Sequence, residues 1–169
     1  MSRRLPAGAA IALALAAVLH VPEARAATER VQRVSATAAC EAPLPVFDAT
    51  LRKRPIGIGN EGTTSIFVSC SLPADSAAPP GGATVSVRLA MRGSGPATTV
   101  NCQLVTGTPD NLSYTAGSAV VPSAGTAWLT WNGVHKGAAN GTLNFSCNVP
   151  PLIDLGTILY RETDPGDQL

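Results

Sequence analysis

Charge is the first thing this chain is short of. Only 14% of its 169 residues are Asp, Glu, Lys or Arg, and the formal net charge is +1. An average soluble domain carries about 25%. Without a strong positive balance or an extended basic run, nothing is built to hold a phosphate backbone, which argues against a nucleic-acid partner. Helical periodicity is also missing: no stretch of about ten or more residues keeps a 3.6-residue apolar repeat. With 16 glycines and 14 prolines in the chain, that excludes a coiled coil or helical bundle. After residue 26 no apolar run reaches the roughly 20 residues needed to cross a bilayer.

The chemistry-bearing residues are equally sparse. Neighbouring cysteines stand 30 or more residues apart, whereas structural zinc sites draw on close Cys-x(2–4)-Cys pairs. His135 is the only histidine after residue 26, so no metal or cofactor is expected. A Ser-His-Asp triad built on His135 would take Asp48, Asp110 or Asp154 as orienter. No Gly-x-Ser-x-Gly elbow accompanies it, and His135 lies in a polar loop between Gly133 and Gly137. No facing pair of carboxylates for glycoside hydrolysis stands out either. No catalytic residue is assigned, and the expected class is non-enzymatic.

What is present begins with an address. Arg3 and Arg4 precede an apolar stretch from Ala7 to Val21, broken at Pro22 and followed by Ala24-Arg25-Ala26. This is the three-part pattern of a secretory signal, with cleavage expected after Ala26. Arginine far outnumbers lysine and Ala, Gly and Pro are abundant, the usage of GC-rich bacterial coding sequence. The exported chain is therefore expected in the periplasm or the medium, free of the membrane once the signal is removed.

Cys40, Cys70, Cys102 and Cys147 all follow the signal. An even number of cysteines in an oxidising compartment reads as two disulfides. Four cysteines allow three pairings. The simplest takes them in order, Cys40–Cys70 and Cys102–Cys147. Around Cys70, Cys102 and Cys147 apolar residues recur at spacing two with Ser, Asn and Gln between them, which puts those three sulfurs on inward strand faces. Cys40 belongs to the lead-in.

The remainder reads as short strands separated by turn signals. They are Leu44 to Leu51, Ile56 to Gly59, Thr63 to Leu72, Thr84 to Met91, Thr98 to Val105, Tyr114 to Val121, Ala127 to Trp131, Leu143 to Val149 and Gly156 to Glu162. The expected fold is all-β, an antiparallel two-sheet sandwich of Ig-like or jelly-roll type, stabilised by disulfides. The expected organisation is a signal peptide over 1–26, a flexible lead over 27–43, the sandwich over 44–163 and an acidic tail over 164–169. Gly57 and Gly59 announce a close backbone neighbour or a bulge. Arg52-Lys53-Arg54, the one basic cluster, reads as a solvated or edge-guarding feature.

Trp128, Trp131 and Tyr114 are the candidate ligand-binding residues. The two tryptophans are three apart, so on one strand they face opposite ways, one into the core and one outward. The segments Leu51 to Asn60, Phe67 to Leu72 and Asn144 to Pro151 resemble small exported bacterial proteins without an assigned activity. The resemblance covers most of the chain after the signal and implies a secreted, disulfide-bearing β-protein. Fimbrial subunits are similar in size, but they end in an alternating strand with a Tyr near the terminus, whereas Tyr160 here is followed by an acidic tail. The resulting expectation is an exported β-sandwich with an undetermined binding or structural role. A carbohydrate-binding module or a surface-appendage subunit is the alternative, with a polysaccharide or another exported protein as partner.

Overall fold

The computed structural model describes residues 28–44, 50–74 and 81–164. The expected signal segment over 1–26, Asp48, residues 75–80 and the expected tail from residue 165 lie outside the described residues. Eleven strands and one helical turn follow in order. They are β1 (Thr28–Ser35), α1 (Ala36–Ala39), β2 (Cys40–Glu41), β3 (Leu51–Arg54), β4 (Gly57–Asn60), β5 (Ile66–Ser71), β6 (Ala83–Met91), β7 (Thr98–Thr108), β8 (Asn111–Val121), β9 (Thr126–Val134), β10 (Thr142–Val149) and β11 (Ile153–Asp164).

The strands form two antiparallel sheets. Sheet A runs β3-β4-β11-β6-β9, with β1 also on β11; sheet B runs β2-β5-β10-β7-β8. From β4 onward the chain steps between the sheets so that β4-β11-β6-β9 faces β5-β10-β7-β8. That interleaving of eight strands is a jelly roll, two Greek keys wrapped into one sandwich. It decides between the two sandwich types left open by the sequence.

Alternation supplies the core. Along β6, Val85, Val87 and Leu89 are fully buried, while Thr84, Ser86 and Arg88 on the other face are only partly so. Val100, Leu104, Phe145, Val149, Ile153, Leu155 and Ile158 join them between the sheets. β11 pairs β4 through Asp154 and Leu155, then shifts register between Leu155 and Ile158 and pairs β1 over its second half. One long strand thus carries two short neighbours on the same edge.

The N-terminal segment departs from expectation. Residues 28–35 of the supposed flexible lead form β1, in continuous register with β11 from Thr28↔Asp164 to Ser35↔Thr157. The physical reason lies in its side chains. Glu29 and Arg33 alternate with Arg30 and Gln32, so both faces are polar and hydropathy shows no period; backbone pairing holds the strand. Ser35 caps the single turn α1, its Oγ accepting from the Thr37 N–H at 3.3 Å. The turn redirects the chain from sheet A to β2 in sheet B, where Cys40 stands opposite Cys70. The expected first strand, Leu44 to Leu51, is not found as such. Leu44 is in a bend, residues 45–49 are outside the described residues, and strand begins only at Leu51.

Both disulfides lie within sheet B. Cys40–Cys70 joins β2 to β5, and Cys102–Cys147 joins β10 to β7, each between directly opposed residues. All four sulfur-bearing residues are buried, including Cys40. In sheet A a polar clasp stands at the end of β4, beside the edge strand β3. Asn60 is fully buried. Its Nδ2 donates to the carbonyls of Thr64 and Val149, each at 2.8 Å, and its Oδ1 accepts from the Gly62 N–H at 2.8 Å. Next to it Glu61 pairs with Arg54 and Arg92, and both guanidiniums also face Asp154, at 3.7 and 3.6 Å. Gly59 leaves room here for the Asp154 carboxylate, which a Cβ at that position would force to turn aside.

Candidate functional site

The outward face of sheet A carries a groove. Its side chains come from four adjacent strands, β9, β6, β11 and β1, brought together only by the jelly-roll order. Trp128 stands on β9 with its side chain outward and 47% of its surface exposed. The register places it opposite Arg88, and the next outward pair is Thr130 opposite Ser86. Ser86 Oγ and Thr130 Oγ1 are 2.9 Å apart, and Thr84 Oγ1 donates to Asn132 Oδ1 at 3.2 Å. Leu159 and Arg161 on β11 and Glu29 on β1 complete the far side, where Arg161 and Glu29 face each other at 3.9 Å. The depression has a volume of about 820 Å3.

The chemistry of the groove suits recognition by contact. It offers one exposed aromatic surface, several hydroxyl and amide groups within hydrogen-bonding reach of one another, and charges at its margins. From β9 to β1 it crosses three strand spacings, roughly 14 Å at about 4.8 Å each. Glu162 borders the groove, but its carboxylate is buried and held from inside by the Tyr160 hydroxyl, which donates to Oε2 at 2.6 Å, with Arg30 at 3.9 Å. Among the described residues no group of three or more His, Cys, Asp or Glu is arranged to hold a metal ion.

The three aromatic candidates are scattered by the fold. Trp131 is 4% exposed and belongs to the core. Its ring centroid lies 5.8 Å from that of Phe145 on the opposite sheet, and its Nε1–H donates to the Thr115 carbonyl of β8 at 3.2 Å. Gly117 makes room for it, since a Cβ there would strike the indole. Trp131 thus packs between the two sheets, and it borders the cleft between β8 and β9 and not the groove beside Trp128. Tyr114 is exposed, but it sits on the outward face of sheet B, opposite Val105 of β7. It shares no surface with Trp128.

Other residues singled out by the sequence also find their places. His135 is exposed and borders a second cleft, of about 630 Å3, between the β8 and β9 edges. Asp154 is engaged with arginines elsewhere on sheet A, and Asp110 is exposed in the turn between β7 and β8. Arg52-Lys53-Arg54 forms most of β3, an outermost strand of sheet A. Sequence reasoning identified Trp128 but missed its companions Thr84, Ser86, Asn132, Arg161 and Glu29. Alternation signals that the β6 residues point outward; nothing local signals which strands lie beside them.

No protein-family model matches the chain, and no curated protein matches it in sequence. Among solved structures it is similar to the N-terminal modules of xylanase 10B from Clostridium thermocellum, a CBM22-1–GH10 unit complexed with xylohexaose. The identity is 13% and the TM-score 0.45, over 66% of this chain and 22% of that one. It is similar to a CBM4 structure at 12% identity and TM-score 0.39, over 79% of this chain and 86% of that one. The family 11 carbohydrate-binding module of Clostridium thermocellum, in complex with a mixed-linked tetrasaccharide, shows 9% identity and TM-score 0.38, over 82% and 85%. At those values the likeness says nothing about what this chain binds.

Proposed function

We propose that the protein is an exported, non-catalytic carbohydrate-binding domain, and that it holds a polysaccharide strand along the outward face of sheet A against Trp128. The observation that carries this reading is the exposed indole of Trp128 beside a groove floored by Ser86 and Thr84. A sugar ring has an apolar C–H face and a rim of hydroxyls. The indole covers the first, replacing water with a large flat apolar contact. Hydroxyl, amide and guanidinium groups meet the second. In an open groove each such hydrogen bond adds only about 0.5–1.5 kcal/mol net, so stacking on Trp128 dominates. Export is supported by the signal pattern over residues 1–26 and by the two disulfides, which belong to an oxidising compartment.

Titration with a panel of soluble polysaccharides, read by tryptophan emission and by retardation in affinity gels, tests it. At least one polysaccharide is expected to perturb emission, because Trp128 stands in the groove, and Trp128→Ala separates its response from that of the buried Trp131. Trp128→Ala is expected to weaken binding at least tenfold, about 1.4 kcal/mol, with the thermal midpoint unchanged. Tyr114→Ala, on the opposite face, should bind like the parent. If no polysaccharide binds, or if Trp128→Ala binds as well as the parent, the reading fails.

A further inference from the structure

An edge strand exposes unpaired N–H and C=O groups, and proteins blunt such edges with charge, proline, bulges or brevity. The other edges of this sandwich obey that rule. β3 carries Arg52, Lys53 and Arg54; β2 is only two residues long. β1 carries Glu29, Arg30 and Arg33. β9 shifts register opposite Ala83 and Val85 and contains Gly133 at a φ of 65°. β8 has none of these devices. It runs for 11 residues at the end of sheet B without a charged residue or a proline, and its register with β7 is unbroken from Asn111 to Val121.

We propose that β8 pairs antiparallel with β8 of a second copy of this chain, on a two-fold axis at Ala116, joining two five-stranded sheets into one of ten strands. The strand is self-complementary about that residue. Gln103 on β7 points outward between the buried Cys102 and Leu104, and Ala116 lies directly opposite it, on the same face. Leu112, Tyr114, Ser118 and Val120 share that face by alternation. Antiparallel pairing centred on Ala116 sets Leu112, 39% exposed, against Val120 of the second copy, 60% exposed, and does so twice by symmetry. Tyr114 meets Ser118, and Ala116 meets itself. Cross-strand apolar pairs of this kind stabilise a sheet, and no like charges meet anywhere along the strand. The contact is isologous, so it closes at the dimer and does not propagate into a filament.

This inference does not depend on what the sheet A groove binds. If that groove holds a polysaccharide, the dimer presents two grooves to one strand or surface, and binding gains from effective concentration.

Sedimentation velocity of the exported chain over a concentration series, up to millimolar, reads the association directly. The expected result is a concentration-dependent dimer. Ala116→Lys sets two ammonium groups against each other on the axis and is expected to weaken self-association at least tenfold, with the circular-dichroism melt unchanged. Should Ala116→Lys fail to fold, Val120→Lys, at an exposed position that would set an ammonium against Leu112 of the second copy, is expected to weaken self-association likewise. Ala116→Cys is expected to yield a disulfide-linked dimer on oxidation, since directly opposed antiparallel residues lie about 4.5–5.5 Å apart at Cα, within disulfide reach. A monomer at every concentration overturns the proposal. So does a dimer that the lysine variants leave intact and the cysteine variant does not cross-link, which would assign the contact to another face or another occupant of the edge.

Discussion

The two sheets share one core but are held and dressed differently. Sheet B contains all four cysteines, as two cross-strand pairs pointing inward. The outward positions of its central strands are Asn101, Gln103, Asn144, Ser146 and Asn148, with no charge among them. Sheet A contains no cysteine. Its core is apolar like that of sheet B, but the end of β4 is clasped by Asn60, and the margin beside it by Arg54, Glu61, Arg92 and Asp154. Its outward face carries Arg88, Arg161 and Glu29 around Trp128. The strands of sheet B carry one charged residue, Glu41 on the two-residue edge strand β2, where it faces Lys53 at 3.8 Å. Sheet A, without disulfides, carries ion pairs at one margin whose strength changes with pH and salt. The groove beside Trp128 lies on the sheet with the more varied side chains, and the neutral edge lies on the stapled one.

The contact between the sheets is where the largest effect is expected. Trp131→Ala removes the indole that reaches Phe145 and the β8 backbone at once, leaving a cavity. A loss of about 3–5 kcal/mol is expected, by analogy with large-to-small core changes. Trp128→Ala, three residues away and facing water, should change stability by no more than about 0.5 kcal/mol. Urea unfolding of the two variants measures the contrast. Equal losses would mean that Trp128 is a packing residue too, and the groove would lose its claim.

A smaller effect is expected within sheet B. Replacing Cys102 and Cys147 together by Ala opens a loop of sequence separation 45 in the unfolded chain, against 30 for Cys40 and Cys70. Each removal should cost about 2–4 kcal/mol, and loop-closure entropy alone makes the two losses differ by less than about 0.5 kcal/mol. Position separates them in another way. Cys102–Cys147 ties two central strands, whereas Cys40–Cys70 ties the two-residue β2 to the sheet edge. Hydrogen exchange should therefore show that losing Cys40–Cys70 frees β1, α1 and β2 locally, while losing Cys102–Cys147 lowers protection throughout sheet B. Identical exchange patterns would show that β2 is held by something other than its disulfide.

The difference between the sheets also explains what could be read in the sequence. Sheet B strands bury apolar residues and cysteines on one face and put Ser, Asn and Gln on the other, so their alternation is plain around Cys70, Cys102 and Cys147. β6 is as clear. β1 was hidden because Glu29, Arg30, Gln32 and Arg33 leave neither of its faces apolar. β11 was seen only from Gly156, because the register shift after Leu155 breaks its alternation into two phases. Asn60 reads locally as a turn residue, yet it is a buried clasp reaching Val149, 89 positions away. The groove is illegible for the same reason: Glu29, Thr84, Trp128 and Arg161 become neighbours only through strand order, which no local pattern encodes.

The smallest expected effect concerns Asp154, and it tests whether sheet A's ion pairs help or hinder. Burial raises its pKa above the usual carboxylate value; Arg92 and then Arg54 pull it down, but less strongly, and Glu61 adds to the rise. The geometry shows why the arginines fall short. Asp154 Oδ1 and Arg92 Nε are both buried and neither makes a hydrogen bond. Two guanidiniums face the carboxylate at 3.6 and 3.7 Å, beyond hydrogen-bond length, so the charge loses water without gaining donors. A raised folded-state pKa means that the folded protein holds the proton more tightly than the unfolded chain does. The contribution to stability is then fully present below the unfolded pKa and is lost as pH rises through the folded one. Asp154→Asn removes the charged form altogether. Its thermal midpoint should lie slightly above the parent's at neutral pH, and the gap should close as pH falls into the carboxylate range. If the variant is instead less stable at neutral pH and draws level only in acid, the Arg54 and Arg92 pairs outweigh burial. Sheet A's network would then stabilise the sheet as the disulfides stabilise sheet B.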